Sequence, residues 1–114
     1  MATNHVQDLK EFEDLFADLA KNCPDVVNAF SQLHVSAVKD GSISMKNKEL
    51  MALAIGIAVK CKVCIEDHVR TALKAGATRQ DIYETVQVAV LMGGGPGLAY
   101  GAMAIDVMNQ LSAK

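Results

Sequence analysis

"KELMALAIGIAVKCKVCIEDHVRTALKAGAT", residues 48–78, decides the fold. Its first part, Leu50 to Val59, is ten residues without a polar side chain. A helix that is apolar all round must be covered on every side, and a chain of 114 residues can hardly do that alone. The run therefore predicts a buried helix in a homo-oligomer. The second part has helical periodicity. Counting from Cys61, the residues Cys64, Ile65, His68, Val69, Ala72 and Leu73 fall at one face's spacing and form an inward stripe. Lys62, Glu66, Asp67, Arg70 and Lys74 take the other face and read as solvated. Gly76 suits a left-handed helix end.

Moving outward, the same period recurs on both sides. Leu9, Phe12, Phe16 and Leu19 mark an amphipathic first helix, ended by "NCPD" at 22–25. Pro24 is placed to open a second, with Val26, Val27, Phe30, Leu33, Ala37 and Val38 inward and Gly41 just past its end. A third starts near Ser44 and Met45, with Ser44 as a candidate cap. After Gly76, Thr78 and Asp81 form a capping-box-like start for a fifth helix that turns Ile82, Val86, Ala89 and Val90 inward. A sixth is expected from about Gly97 to Leu111. No alternating run argues for strands. The expectation is an all-α single domain, residues 1–114, of about six helices.

Composition narrows the partners. Eleven Lys and Arg stand against thirteen Asp and Glu, for a net charge of −2. They are scattered without runs, so neither a nucleic-acid footprint nor a polybasic membrane patch is present. Val86 to Ile105 lacks charge and is long enough to resemble a membrane span. "GGGPG" at 93–97 cuts it in half, which favours two short helices meeting at a joint where backbones approach closely; no Lys-Ser/Thr follows, as a phosphate loop would need. Three cysteines, two of them three apart, fit functional thiols in a cytoplasmic protein better than a secreted disulfide framework.

The chemistry concentrates on the stripe. His68 sits one turn after Cys64 and leans back toward it. If the chain folds back near residue 60, then at 1.5 Å per residue Glu49 lies about 16 Å from the corner, His68 about 12 Å, Cys64 about 6 Å and Cys61 about 2 Å. A water could bridge the remaining ~4 Å between carboxylate and imidazole. The corner is unmarked, since "AVKCKV" holds no Gly or Pro. A thiol near a helix start, beside Lys60 and Lys62 and one turn from a histidine, has its reactive thiolate favoured. A carboxylate behind the histidine would orient it, the logic of nucleophile, base and orienter. The same four side chains could instead supply a zinc site, and the two cysteines could be plain core residues.

The spacing Glu, eleven residues, Cys-x-x-Cys, three residues, His, carried by Glu49, Cys61, Cys64 and His68, resembles the alkylhydroperoxidase D-like branch of the carboxymuconolactone decarboxylase superfamily. The likeness runs over about residues 45–110 and includes "QDIYETVQVAV". It implies an all-helical homo-oligomer, trimer or hexamer, that reduces hydroperoxides with electrons from an external thiol reductant and needs no cofactor or metal. In that scheme Cys64 becomes the sulfenic acid, Cys61 donates a proton and closes the disulfide, and His68 with Glu49 forms the proton relay. Val63 stands where the peroxidase members carry a histidine, and the chain is a single short unit where they are longer. A thiol-disulfide oxidoreductase, a redox sensor, a decarboxylase-like enzyme and a metal-binding oligomer are the alternatives. Cys23, without a neighbouring base, reads as inert, and His5 and His34 as structural or solvated.

Overall fold

Four of the five helix starts among the described residues coincide with side chains that satisfy free amide groups. The structure, a computed structural model, describes residues 3–112, and these form α1 (His5–Asn22), α2 (Pro24–Val38), α3 (Met45–Ala58), α4 (Lys62–Lys74) and α5 (Arg79–Ser112). Asn4 accepts from the Gln7 amide ahead of α1, and Ser44 from the Asn47 amide ahead of α3. Pro24 occupies the first turn of α2. Before α5 the capping box is reciprocal, with Thr78 Oγ1 accepting from the Asp81 amide at 3.0 Å and Asp81 Oδ2 from the Thr78 amide at 2.9 Å.

The unmarked corner at residue 60 exists, and its cause is a backbone motif. The Lys60 amide donates to Ile57 O and the Cys61 amide to Gly56 O, the paired bonds of a Schellman ending. Lys60 takes the left-handed position at φ 60°, where glycine is usual. Gly76 does the same at the end of α4, its amide bonding Leu73 O while that of Ala77 bonds Ala72 O. Because Cys61 is at once past the end of α3 and the cap of α4, the two helices fold back with no linker between them.

Five helical elements stand where about six were expected. The last two have no loop between them, and α5 runs through the glycine stretch with a single non-helical residue, Gly94 (φ 61°, ψ −140°). That one residue reverses the chain, because a Cβ on Gly101 would lie 2.8 Å from Val86 Cγ1, and one on Gly97 3.0 Å from Ala89 O. In a straight helix residues 86 and 101 would be about 22 Å apart. By length and composition α5 could cross a membrane, but its two arms lie against each other.

The core is built by α3, α4 and both arms of α5, with Leu53, Ile57, Ile65, Val69, Ile82, Val107 and Met108 fully enclosed. The second helix departs from expectation. Of its supposed inward stripe only Val27 is buried, while Val26, Phe30 and Leu33 are 72%, 62% and 61% exposed. Its amphipathic pattern is real, but α2 packs mainly on α1, which itself lies against α4 and α5, and the described residues supply no further cover for it. Met51 and Ile55 on α3, Val59 just past its end, and Leu91, Met92 and Leu98 on α5 are open in the same way.

Candidate functional site

The site begins at the corner. Cys61 lies outside the helix that the sequence pattern assigned it to, as the N-cap of α4, where its Sγ accepts from the Cys64 amide at 3.2 Å. Cys64 occupies the first turn, and the two are joined as a disulfide with their Cα atoms 5.2 Å apart. Across from them Gly56 lets α3 pass close, since a Cβ there would stand 3.2 Å from Cys64 Cβ. Cys23 is exposed and free, with no base against it among the described residues.

Behind the disulfide, Glu49 and His68 meet directly, without the bridging water expected from the spacing. His68 Nδ1 is 2.7 Å from Glu49 Oε1. The helices approach more closely than straight-rod arithmetic allowed because the Schellman corner costs no extra residues. The Glu49 side chain is almost fully buried and receives three donors: His68, Thr71 Oγ1 at 2.8 Å, and His34 Nε2 at 3.3 Å on its second oxygen. Burial works to raise its carboxyl, but the hydrogen bonds from Thr71, His68 and His34 outweigh it and hold Glu49 below the ordinary carboxylate value. An ionised carboxylate only accepts, so His68 donates through Nδ1 and its Nε2 is the nitrogen left to act as base.

Two participants were not found from the sequence. Thr71 lies one turn beyond His68 on α4, a position that a helical wheel could have flagged. His34, read as structural or solvated, comes from α2 with no fixed spacing to the motif; its ring meets that of His68 edge-on at 6.1 Å. A cavity of about 380 Å³ opens on the far side of Glu49, with Val35, Val38, Met45 and Ala75 as apolar wall, His34, Glu49 and Thr71 at its inner end, and Lys39 and Lys74 beside it.

A second polar cluster corrects the reading of α4's outer face. Glu66, assigned to solvent, is 1% exposed because the start of α1 covers it. His5 Nδ1 contacts Glu66 Oε2 at 2.6 Å, and its Nε2 contacts Asp106 Oδ2 at 3.0 Å. Burial pushes the Glu66 carboxyl up against the pull of the His5 hydrogen bond, with Asp8 beside it adding to the rise. His5, Asp8 and Glu66 place donor atoms within 4.8 Å of one another, a spacing a divalent cation could use. Here Lys62 Nζ, 2.7 Å from Asp8 Oδ2, supplies the positive charge, and the group clasps α1 to α4 and α5.

What the arrangement offers is a reversible dithiol at a helix N-terminus, a base one turn away and a buried carboxylate orienting that base. Comparison with known proteins shows the family. The family model described as the carboxymuconolactone decarboxylase family matches residues 24–106. A carboxymuconolactone decarboxylase family protein from Legionella pneumophila, solved in its apo form, is 38% identical with a TM-score of 0.92, covering 95% of this chain and 96% of that one. An uncharacterized protein of Cupriavidus necator is 33% identical over 99% of this chain and all of its own length. The alkyl hydroperoxide reductase AhpD of Coxiella burnetii is 28% identical over 64 residues, 56% of this chain but only 36% of that protein.

Proposed function

Because the chain belongs to the carboxymuconolactone decarboxylase family, we propose that it is a thiol-dependent peroxidase in which Cys64, Cys61, His68 and Glu49 carry the reaction. The observation that carries this reading is the Cys61–Cys64 disulfide at the start of α4 with the Glu49–His68 pair one turn behind it. The Cys64 thiolate attacks one oxygen of a hydroperoxide, the O–O bond breaks, and the departing alkoxide takes a proton to leave as alcohol. Cys64 is then a sulfenic acid. The Cys61 sulfur attacks it, the hydroxyl leaves as water with the Cys61 proton, and the disulfide closes. An external dithiol supplies the two electrons that reopen it. His68, backed by Glu49, holds and returns the proton at Nε2. A cytoplasmic location, where thiol reductants are maintained, fits this reading. The exposed apolar faces of α2, α3 and α5 support a homo-oligomer as the working form, for which the family resemblance suggests a trimer or hexamer.

A second reading, thiol-disulfide exchange with little peroxidase activity, is favoured by one observation. The Cys61 sulfur accepts the Cys64 amide at the helix cap, a contact that would stabilise a thiolate on Cys61 in the reduced protein. Val63 between the cysteines adds no base of its own. Titration of free thiols after one equivalent of hydroperoxide separates the two. The peroxidase loses two of its three thiols as alcohol forms, Cys64→Ser loses none, and a chain that keeps all thiols while peroxide persists but reduces an added disulfide belongs to the second class.

A further inference from the structure

Glu49 Oε1 serves His68 and Thr71, and the other oxygen, Oε2, faces His34 at 3.3 Å. Two imidazoles from different helices thus share one buried carboxylate. They differ in access, because the His34 side chain is 39% exposed while that of Glu49 is 4%. His34 also lines the cavity of about 380 Å³ that opens beside Glu49. The charged and titratable groups facing this region are Glu49 from α3, His68 and Lys74 from α4, and Lys39 near the end of α2.

We propose that His34 is a positioning residue for the thiol chemistry: through Glu49 it sets how strongly the carboxylate supports His68, so that the protonation of an imidazole open to solvent is felt at the cysteine pair. The inference rests on the redox reading of Cys61 and Cys64. Its direction follows from charge. A neutral His34 donates one modest hydrogen bond and leaves most of the carboxylate's charge to His68, which is then a good base. A protonated His34 competes for that charge with a full positive charge of its own, the support for protonated His68 falls, and thiol activation slows. Acidification therefore slows the chemistry through a group that touches neither sulfur nor substrate.

Three proteins test it: wild type, His34→Gln, whose amide can still donate to Glu49 but does not titrate, and His34→Ala. Single-turnover oxidation of the reduced protein by cumene hydroperoxide is followed between about pH 5 and 8, the range of an imidazole switch. His34→Gln keeps the wild-type rate at the alkaline end and shows a weaker fall toward acid. His34→Ala, which removes the titrating competitor altogether, keeps at least the wild-type rate at the alkaline end and loses much of the fall toward acid, and added imidazole, reaching Glu49 through the cavity, brings the acid fall back. In parallel, the His68 ring titration followed by NMR differs from wild type in both variants. An unchanged rate profile in His34→Ala overturns the proposal. So does a slowed His34→Ala whose His68 titration stays where it was, since that is a structural defect. If wild type does not react with peroxide, the peroxidase reading fails by itself, and the His68 titration still decides whether His34 and His68 are coupled.

Discussion

Glu49 concentrates the account at the residue scale. It precedes ten residues without a polar side chain, yet it is among the most heavily hydrogen-bonded side chains of the fold, because Thr71, His68 and His34 all turn toward it. Its carboxyl is held below its ordinary value, so it contributes stability that is fully present above the unfolded carboxylate range and is lost as pH falls through the lower folded value. Denaturant midpoints between neutral and acid pH should show this loss in wild type and a shallower one in Glu49→Gln. The same variant should oxidise its thiols about 10²-fold more slowly, as should His68→Gln; equal rates would reduce both residues to core packing. Glu49, Cys61, Cys64 and His68 were legible because their spacing lies along two adjacent helices. His34 was not, because a partner contributed by a third helix leaves no spacing to read. Glu66 misled because a helical wheel assigns faces relative to one stripe, whereas α1 covers a second face of α4.

Helix joints carry the next level. Gly76, the Thr78–Asp81 box and the glycine stretch were readable as signals, but the joint that matters most, at Lys60, carries none. Its left-handed backbone is enforced by the bonds to Ile57 and Gly56 against the preference of a side-chain-bearing residue. Lys60→Gly should relieve that and raise stability by about 0.5–1 kcal/mol in equilibrium unfolding, leaving the disulfide's closure unaffected. Gly97 behaves oppositely. A methyl group there meets the Ala89 carbonyl oxygen at 3.0 Å, and a backbone atom cannot rotate aside. Gly97→Ala should cost about 1–3 kcal/mol; a neutral result would mean that the two arms of α5 are less tightly joined than the geometry states.

At the scale of the whole molecule, the sequence foretold more apolar surface than one chain can enclose. The structure locates that excess, on the outer face of α2, on Met51 and Ile55 of α3 and Val59 just past its end, and on Leu91, Met92 and Leu98 around the bend of α5. Periodicity identified the α2 stripe but could not say whether its cover comes from the same chain. Exposed patches of this extent mark association surfaces, so light scattering should find an oligomer, and Phe30→Asp with Leu33→Asp should reduce its mass while helical content persists. A wild-type monomer would remove the oligomer from the account and leave the site as described.

Under the proposed function Cys64, activated by the Glu49–His68 pair, takes the peroxide oxygen. Mass spectrometry of reduced Cys61→Ser after one equivalent of hydroperoxide tests it most directly. One added oxygen is expected, located on Cys64 and trapped by a sulfenic-acid reagent, with an equivalent of alcohol released. An unmodified Cys64 beside undiminished peroxide would contradict it.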